Sequence, residues 1–156
     1  MSGFEAPVPL LPEILALHGK WRAHKPALVC GDTRLDWAQF TAANHRFAHG
    51  LRSRGVVAGD RVGVVMSNGL AMVQANLSVS DEALRSMLLD AGITALVVSA
   101  DQQARLQPLL PSLSHSLRLC VTAGDGDDTW TGLAELCDGQ PAALPALTLT
   151  PDAPLN

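Results

Sequence analysis

Patterns typical of strands alternate with patterns typical of helices between residues 61 and 121 of this 156-residue chain. Residues 61–66 and 94–98 are short apolar runs, as in buried strands. Residues 81–91 carry apolar side chains three and four positions apart, as in an amphipathic helix. Parallel strands need long crossover connections, which helices supply, so the alternation predicts a mostly parallel sheet with helices on both faces. We therefore expect an α/β fold.

The region before this alternation predicts a helix, a hairpin and a second, longer helix. Residues 11–23 have a helical apolar stripe, and a Gly-Asp turn signal at residues 31–32 separates two short strand patterns. Asp36 is a suitable N-cap for a helix over residues 37–53, because its carboxylate can accept a backbone N–H of the first turn. Gly55 is a suitable residue to end that helix.

The region after the alternation predicts two more helices and one more strand. Asp101 opens a helix that Pro108 or Pro111 should end, since proline cannot continue a helix interior. Residues 117–121 form the last predicted strand. A short helix is predicted over residues 130–137.

These patterns predict one incomplete α/β subdomain over residues 1–137, followed by a linker tail over residues 138–156. The tail holds four prolines and little periodicity. Apolar residues make up 47% of the chain and charged residues 17%, which argues against disorder. Aromatic residues make up only 4%, so leucine, valine and alanine are expected to fill the core.

Charge and cysteine usage exclude several functional classes. The net charge is −4, so nucleic acid is not an expected partner. The three cysteines, Cys30, Cys120 and Cys137, include no CxxC pair, so neither a disulfide framework nor a zinc site is favoured. The sequence shows neither a secretory signal pattern nor an apolar run long enough to span a membrane. We therefore predict a cytoplasmic protein without a membrane span.

An ordered series of residues carries a resemblance to a known family. The series runs Leu35-Asp36-Trp37-Ala38-Gln39-Phe40, Ala43-Asn44, Phe47-Ala48, Leu51, Gly55-Val56, Gly59-Asp60-Arg61-Val62 and Asn68. It resembles the N-terminal region of the adenylate-forming superfamily, which includes acyl- and aryl-CoA synthetases, nonribosomal-peptide adenylation domains and luciferases. The resemblance covers roughly residues 10–156 and implies the first part of the large N-terminal domain of such an enzyme.

The resemblance implies the chemistry of an AMP-forming acid–CoA ligase. In such enzymes ATP and a carboxylic acid form an acyl-adenylate, which CoA then captures, so ATP, Mg and CoA are implied for the family and fatty acid metabolism is one implied setting. The family's phosphate loop ends in Pro-Lys-Gly and would begin just after Asn156, whereas Lys20 and Lys25 are the only lysines here. We therefore expect a truncated N-terminal portion that binds none of these cofactors and is inactive alone.

The resemblance also implies an internal shortening near residues 75–77. The family completes a helix and adds a sheet strand there, whereas only residues 76–80 separate two helix patterns in this chain. Residues 69–91 keep roughly heptad apolar spacing, so they could fuse into one long helix. Loss of a strand from the middle of a parallel sheet would remove ladder partners on both sides and expose apolar faces. We therefore expect a surface through which the chain could self-associate.

Two short motifs invite a ligand-binding interpretation, but their neighbouring residues do not fit it. Gly19-Lys20 lacks both the earlier glycine and the following Ser/Thr of a P-loop. His45 and His49 have a spacing that can bind a metal, but the residue between them that a metalloprotease needs as glutamate is not one. Because both histidines are expected opposite the stripe that contains Trp37, we predict that they lie on a solvated helix face.

The remaining motifs also predict structural roles. The acidic run at residues 125–128 lacks the spacing of an EF-hand loop and predicts a surface turn. The glycosylation sequon at residues 76–78 is a chance match without a secretory signal. Four serines near element ends are predicted to be caps and turn residues rather than hydrolase nucleophiles; they are Ser67, Ser78, Ser80 and Ser99. No catalytic, cofactor-binding or metal residue is predicted in this chain.

Two other interpretations stay open at this point. The chain could be a standalone α/β module that binds another protein, which would need an exposed apolar patch. It could also be a non-functional gene remnant, which the internal gap favours. No GxGxxG motif follows any predicted strand, which argues against a dinucleotide-binding module.

Overall fold

The computed structural model describes residues 10–66 and 80–146. The chain divides into two compact units, of which one contains residues 1–49 with 139–156 and the other residues 50–138. The predictions for residues 67–79, namely the sequon, the helix start at Ser67 and the internal shortening, lie outside the described residues. Among the residues that are described, no helix combines the length and the apolar character that a bilayer crossing requires.

The first unit begins with the predicted helix and hairpin. Helix α1 covers Leu11–Trp21, and the Leu10 backbone N–H donates to Glu13 Oε2 at 3.1 Å. Strands β1, Pro26–Cys30, and β2, Thr33–Asp36, pair antiparallel, which confirms the hairpin. The turn between them places Gly31 at φ 56°, a left-handed conformation that glycine adopts without a Cβ penalty.

The long helix α2 covers Trp37–Ser53, with the bounds that its sequence predicts. Asp36 Oδ1 accepts the Gln39 N–H at 2.8 Å, and Gln39 Oε1 accepts the Asp36 N–H at 3.0 Å, so the two residues form a reciprocal capping box. At the other end, the Gly55 N–H donates to the Arg52 carbonyl and the next N–H, that of Val56, donates to the Leu51 carbonyl. These two bonds form a Schellman motif, for which Gly55 takes φ 86°.

Close backbone approach joins α1 to α2. A Cβ on Gly19 would lie 2.7 Å from Thr41 Oγ1, so only glycine fits this position without a shift. The Thr41 hydroxyl donates to the Leu15 carbonyl at 3.1 Å, which fixes the two helices together through a side chain that is 6% exposed. Gly19 and Lys20 therefore lie in the last turn of a packed helix rather than in a loop.

The second unit contains the parallel sheet. Its elements after the end of α2 are β3 Val62–Val65, α3 Asp81–Ala91, β4 Ala95–Val98, α4 Ala100–Leu106, a 3₁₀ turn Gln107–Leu109, α5 Leu110–Leu113, β5 Leu119–Thr122, β6 Thr131–Gly132 and α6 Leu133–Cys137. The strands pair in the order β3-β4-β5-β6, and every pair is parallel. This arrangement confirms the predicted α/β class.

Both faces of β4 are buried in the second unit, and one buried cluster lies between one of these faces and the helices. All four residues of β4 are at most 2% exposed, as expected for a strand with partners on both sides. Leu96 and Val98 pack in one buried cluster with side chains from the helices and loops, namely Leu88, Ile93, Leu106, Leu113 and Trp130. The expected aliphatic core is present, with one fully buried tryptophan added to it.

Of the local predictions for this unit, the end of α4 is confirmed and the start of the last helix, predicted at residue 130, is wrong. The sequence left open one long helix through residue 80, but Ser80 has an extended backbone and its Oγ accepts the Ala83 N–H at 3.2 Å as the N-cap of α3, so no helix continues through it. Helix α4 ends at Leu106, just before Pro108, as the sequence predicts. Pro108 and Pro111 then occupy the first turns of the 3₁₀ segment and of α5, where a missing N–H has no effect. Residues 131–132 form a fourth strand, so the last helix begins only at Leu133.

The sheet is continuous between the strands on either side of the expected gap. Val62, Gly63, Val64 and Val65 pair directly with the four residues of β4. A loss of ladder partners in the middle of the sheet, which the sequence led us to expect, is therefore absent between these two strands. In the described part of the chain, β3 stands at an edge of the sheet.

Candidate functional site

The carboxyl ends of β3, β4 and β5 form the edge at which open parallel sheets usually bind ligands. The ladder continues past the strands there, since the Ser99 N–H donates to the Val65 carbonyl at 3.2 Å and the Ala123 N–H to the Val98 carbonyl at 2.8 Å. Thr122 ends β5 fully buried, and its hydroxyl oxygen accepts the N–H of Gly124 at 3.1 Å. This edge is thus ordered by its own backbone, and we call it the carboxyl edge.

The loop that follows β5 is organised by one aspartate. Asp127 Oδ1 accepts the backbone N–H groups of Thr129 and Trp130, each at 2.8 Å, and Asp127 Oδ2 accepts from Gln103 Nε2 at 3.0 Å. The bond from the Trp130 N–H, followed by the one from Thr129, lowers the pKa of this carboxyl. The indole N–H of Trp130 donates to Gln107 Oε1. The acidic run therefore forms the turn that the sequence predicts and anchors the buried tryptophan.

The charge of the carboxyl edge is unfavourable for a polyphosphate. Asp125, Asp127 and Asp128 are exposed in the loop after β5, and Asp101 is exposed in the first turn of α4. Sites that bind triphosphates supply backbone N–H groups and cations to the phosphate oxygens. The carboxyl edge presents negatively charged carboxylates, which would repel the phosphate oxygens.

The arginines of the second unit all have partners within the described residues. Arg54 pairs with Glu135, Arg61 with the Ala91 carbonyl, Arg85 with Glu82, Arg105 with Asp81 and Arg118 with Asp60. Arg52 is likewise engaged. Both lysines belong to the first unit. Cation groups in the sheet unit therefore serve internal contacts.

Asp60 connects three segments of the chain at the edge of the sheet where the strands begin, here called the amino edge. Its carboxylate accepts the Val57 N–H at 2.9 Å, the Thr94 hydroxyl at 3.2 Å and the Arg118 Nη2 at 3.2 and 3.3 Å. Its side chain is 15% exposed. The preceding Gly59 has φ 92° and turns the chain toward β3. These contacts assign a scaffold role to the Gly-Asp pair of the resemblance.

The two histidines of α2 do not lie on a solvated face, so that prediction is wrong. His45 is 8% exposed, and its Nδ1 lies 2.8 Å from the Ala142 carbonyl oxygen. His49 is half-buried, and its Nε2 lies 3.1 Å from the Ala143 carbonyl oxygen. The physical reason is that residues 139–146 return to this helix, a contact across more than ninety positions that no local pattern records.

The described residues also include a cleft that the sequence did not indicate. It has a volume of about 450 Å³ and lies in the first unit, between the hairpin and the start of α2. Its lining is His24, Pro26, Val29, Arg34, Leu35, Asp36 and Gln39. Asp36 and Gln39 are the capping-box pair, so their polar groups are committed to the helix end rather than to a ligand.

Other candidate groups have structural surroundings. Ser80 caps α3 through its hydroxyl and Ser99 precedes α4, as predicted for these two serines. Burial raises the pKa of the Cys120 thiol to about 11, which keeps it protonated at neutral pH. Within residues 10–66 and 80–146, no three His, Cys, Asp or Glu side chains are grouped as a metal site.

Sequence comparison finds one matching family and several curated relatives. The AMP-binding enzyme family matches residues 18–155. An acetyl-coenzyme A synthetase of Burkholderia lata is 38% identical over 93 aligned positions, which cover 51% of this chain and 14% of the relative. A medium/long-chain-fatty-acid–CoA/3-oxocholest-4-en-26-oate–CoA ligase of Mycobacterium tuberculosis is 28% identical over 116 positions, covering 65% and 21%. The chain thus spans about a fifth or less of these relatives.

Solved structures show the same fold over most of the chain. A protein described as a putative long-chain-fatty-acid CoA ligase from Rhodopseudomonas palustris superposes with a TM-score of 0.75 at 21% identity, covering 88% of this chain and 38% of that one. MbtA of Mycobacterium smegmatis gives a TM-score of 0.76 at 22% identity, covering 93% and 30%. Both likenesses concern the fold.

Proposed function

We propose that the chain forms the N-terminal part of an ATP-dependent, AMP-forming acid–CoA ligase. The premise is that the chain belongs to the AMP-binding enzyme family. The observation that carries this proposal is the family match over residues 18–155 of a chain that spans only a small part of each relative. In this role the chain supplies the scaffold, and the groups that bind ATP are outside these 156 residues. A cytoplasmic location is part of the proposal.

The charge distribution supports a scaffold role without catalysis by this chain alone. Adenylate formation develops negative charge on phosphate oxygens, which cations and backbone N–H groups must stabilise. The sheet unit engages its arginines internally and presents aspartates at the carboxyl edge. We therefore expect the chain alone neither to bind ATP tightly nor to form an acyl-adenylate.

The alignments support the proposed internal shortening. The alignment with the acetyl-coenzyme A synthetase has 93 positions, but it covers only 51% of the 156 residues of this chain, which is fewer than 93 residues. The alignment with the mycobacterial ligase has 116 positions and covers 65% of this chain, which is fewer than 116 residues. Some positions of each relative therefore face no residue here. We propose that these positions include the strand segment expected near residues 75–77.

The test is pyrophosphate exchange by the purified 156-residue chain. The chain is mixed with ATP, Mg²⁺, labelled pyrophosphate and a panel of short, long and aromatic acids, and the acetyl-coenzyme A synthetase from Burkholderia lata serves as the active control. We expect exchange at the level of a protein-free blank, and no saturable heat when ATP is titrated into the chain. Acid-dependent exchange would overturn the proposal that the catalytic groups lie elsewhere.

A second candidate function, association with another copy, is favoured by one observation on β3. Val64 is 63% exposed, whereas its ladder partner Val97, on the same face of the sheet, is 2% exposed. A valine on a parallel strand is normally covered, so this position leaves apolar surface for a second copy. Light scattering after size exclusion should show a dimer that Val64→Lys converts to a monomer. Met87→Lys, a change at the 61% exposed Met87, is the matched control and should leave the mass unchanged.

A further inference from the structure

Residues 139–146, here called the strap, are held against α2 by two side chains. His45 Nδ1 and His49 Nε2 lie 2.8 and 3.1 Å from two consecutive strap carbonyls, those of Ala142 and Ala143. We propose that the two histidines act as a latch that fixes the position and register of the strap on the helix. Histidines four apart lie one above the other on a helix face, so the pair presents two ring nitrogens in a row to two consecutive carbonyls of the strap.

The chemistry of the contact defines the tautomer of each ring. A carbonyl oxygen only accepts, so the ring nitrogen facing it must carry the proton. His45 is therefore the Nδ1–H tautomer, the less common one for a free neutral imidazole, and His49 is the Nε2–H tautomer. The latch thus selects a different proton position in each of two neighbouring rings.

The other ring nitrogen of His45 shows that contact with water does not determine the orientation of this ring. His45 Nε2 is buried and has no hydrogen-bond partner among residues 10–66 and 80–146. A buried acceptor without a donor is unfavourable, and native structures contain few of them. The ring is nevertheless held in this position, so the bond from Nδ1 to the strap is the polar contact that accounts for its orientation.

The strap has no regular secondary structure to define its path, although Ala146 at its end makes a further contact. Its sequence, Gly-Gln-Pro-Ala-Ala-Leu-Pro-Ala, contains no charged side chain, and its two prolines lack the N–H that a ladder would need. No helix or strand is assigned within it. Gly139 turns the chain at φ 64°, and Pro145 is buried. The latch therefore supplies the register that regular secondary structure would otherwise give.

The consequence for a ligase rests on the proposed function. The family match continues past the strap to residue 155, so the strap is the route by which the chain leaves the sheet unit toward the later part of the matched region. His45 and His49 would then be positioning residues that set where that route begins. The latch itself is independent of this consequence and is tested without ATP or an acid.

The first experiment measures the tautomers in the intact 156-residue chain. Long-range ¹H–¹⁵N correlation spectra, recorded above the pH at which free imidazole protonates, distinguish the two neutral forms. We expect the Nδ1–H pattern for His45, the Nε2–H pattern for His49 and the averaged pattern of free histidine for the exposed His115. An averaged or Nε2–H pattern for His45 would overturn the proposal.

The second experiment removes each contact and follows the strap. Elastase cuts after small residues, so it can cleave next to Ala142 when the strap is released. His49→Ala should speed this cleavage roughly fivefold, as loss of one hydrogen bond allows, and His45→Phe should do at least as much while filling the ring's volume. His115→Ala is the control and should cleave like the unmodified chain.

The location of the change in a variant distinguishes a latch from a general contribution to stability. In a latch variant, the ¹⁵N heteronuclear NOE should fall within the strap, while amide protection in β4 and β5 stays as in the unmodified chain. Because His49 is half-buried, its alanine variant should fold even if His45→Phe does not. Unchanged elastase cleavage and unchanged NOE values in His49→Ala would refute the latch, whatever the outcome of the pyrophosphate exchange assay.

Discussion

Replacement of Asp60 by alanine is expected to destabilise the sheet unit more than any change at its arginine partner. The carboxylate holds three groups, the Val57 N–H, the Thr94 hydroxyl and the Arg118 guanidinium. These groups belong to the loop before β3 and to the chain just before β4 and β5. Loss of the carboxylate therefore releases three segments that must lie side by side for the parallel ladder to start.

The expected loss in the free energy of unfolding follows from how deeply each partner of Asp60 is buried. Thr94 is 8% exposed and Asp60 is 15% exposed, so the hydroxyl loses a partner that water replaces poorly. A buried donor left without a partner costs about 1–3 kcal/mol, and the lost backbone bond adds about 1 kcal/mol. Arg118 is 62% exposed, so its ion pair contributes at most about 1 kcal/mol. We expect Asp60→Ala to lower the free energy of unfolding by about 2–4 kcal/mol, and Arg118→Ala by less than about 1 kcal/mol.

Urea unfolding of the full chain, followed by tryptophan fluorescence, measures both changes. The slope with denaturant should stay constant, so the shift in midpoint reports stability. Asp60→Asn should fall between the two variants, because one amide oxygen can still accept from the loop. Equal destabilisation by Asp60→Ala and Arg118→Ala would show that the ion pair dominates, and would refute the reasoning from burial.

Three further predictions concern packing, reactivity and pH. Gly50→Ala should destabilise the chain by about 2 kcal/mol or more in the same urea assay, since a Cβ there would clash with the Leu136 carbonyl oxygen. Cys120 should react with a disulfide reagent at pH 8 at least tenfold more slowly than the exposed Cys30, because a pKa of about 11 leaves little thiolate. The lowered pKa of Asp127 contributes stability above the usual carboxyl range that is lost as pH falls through the lowered pKa, so Asp127→Asn should flatten the acid limb of the stability curve.

Local signals account for the elements that were predicted correctly. The bounds of α2 follow from Asp36 at one end and Gly55 at the other, because a cap is a contact between residues three to five apart. The hairpin follows from its turn residues in the same way. The parallel class follows from the order of patterns, since helices are what allow parallel strands to be connected.

The features that were missed depend on contacts distant in sequence. Strand β6 has only two residues, Thr131 and Gly132, and is a strand only because β5 lies beside it. The burial of His45 depends on a carbonyl that follows it by more than ninety positions. Ser80 was recognised as a capping residue, but the apolar spacing across it also fitted a continuous helix, and the capping bond to the Ala83 N–H decides between them. Spacing alone carries no information about which of two local structures wins.

The two edges of the sheet separate what this chain contributes from what a ligase of its family would still require. At the amino edge, the Asp60 carboxylate binds a loop N–H, a hydroxyl and a guanidinium, and these contacts stabilise the fold. At the carboxyl edge, where a ligand would bind, the ordered carboxylate of Asp127 already accepts from two backbone N–H groups and one side-chain amide. An anionic substrate at that edge would have to be held by cations brought from other residues, because those described in the sheet unit are engaged elsewhere. The proposed scaffold role therefore has two separate supports, the charge arrangement and the family match. Acid-dependent pyrophosphate exchange would contradict the first and leave the second intact.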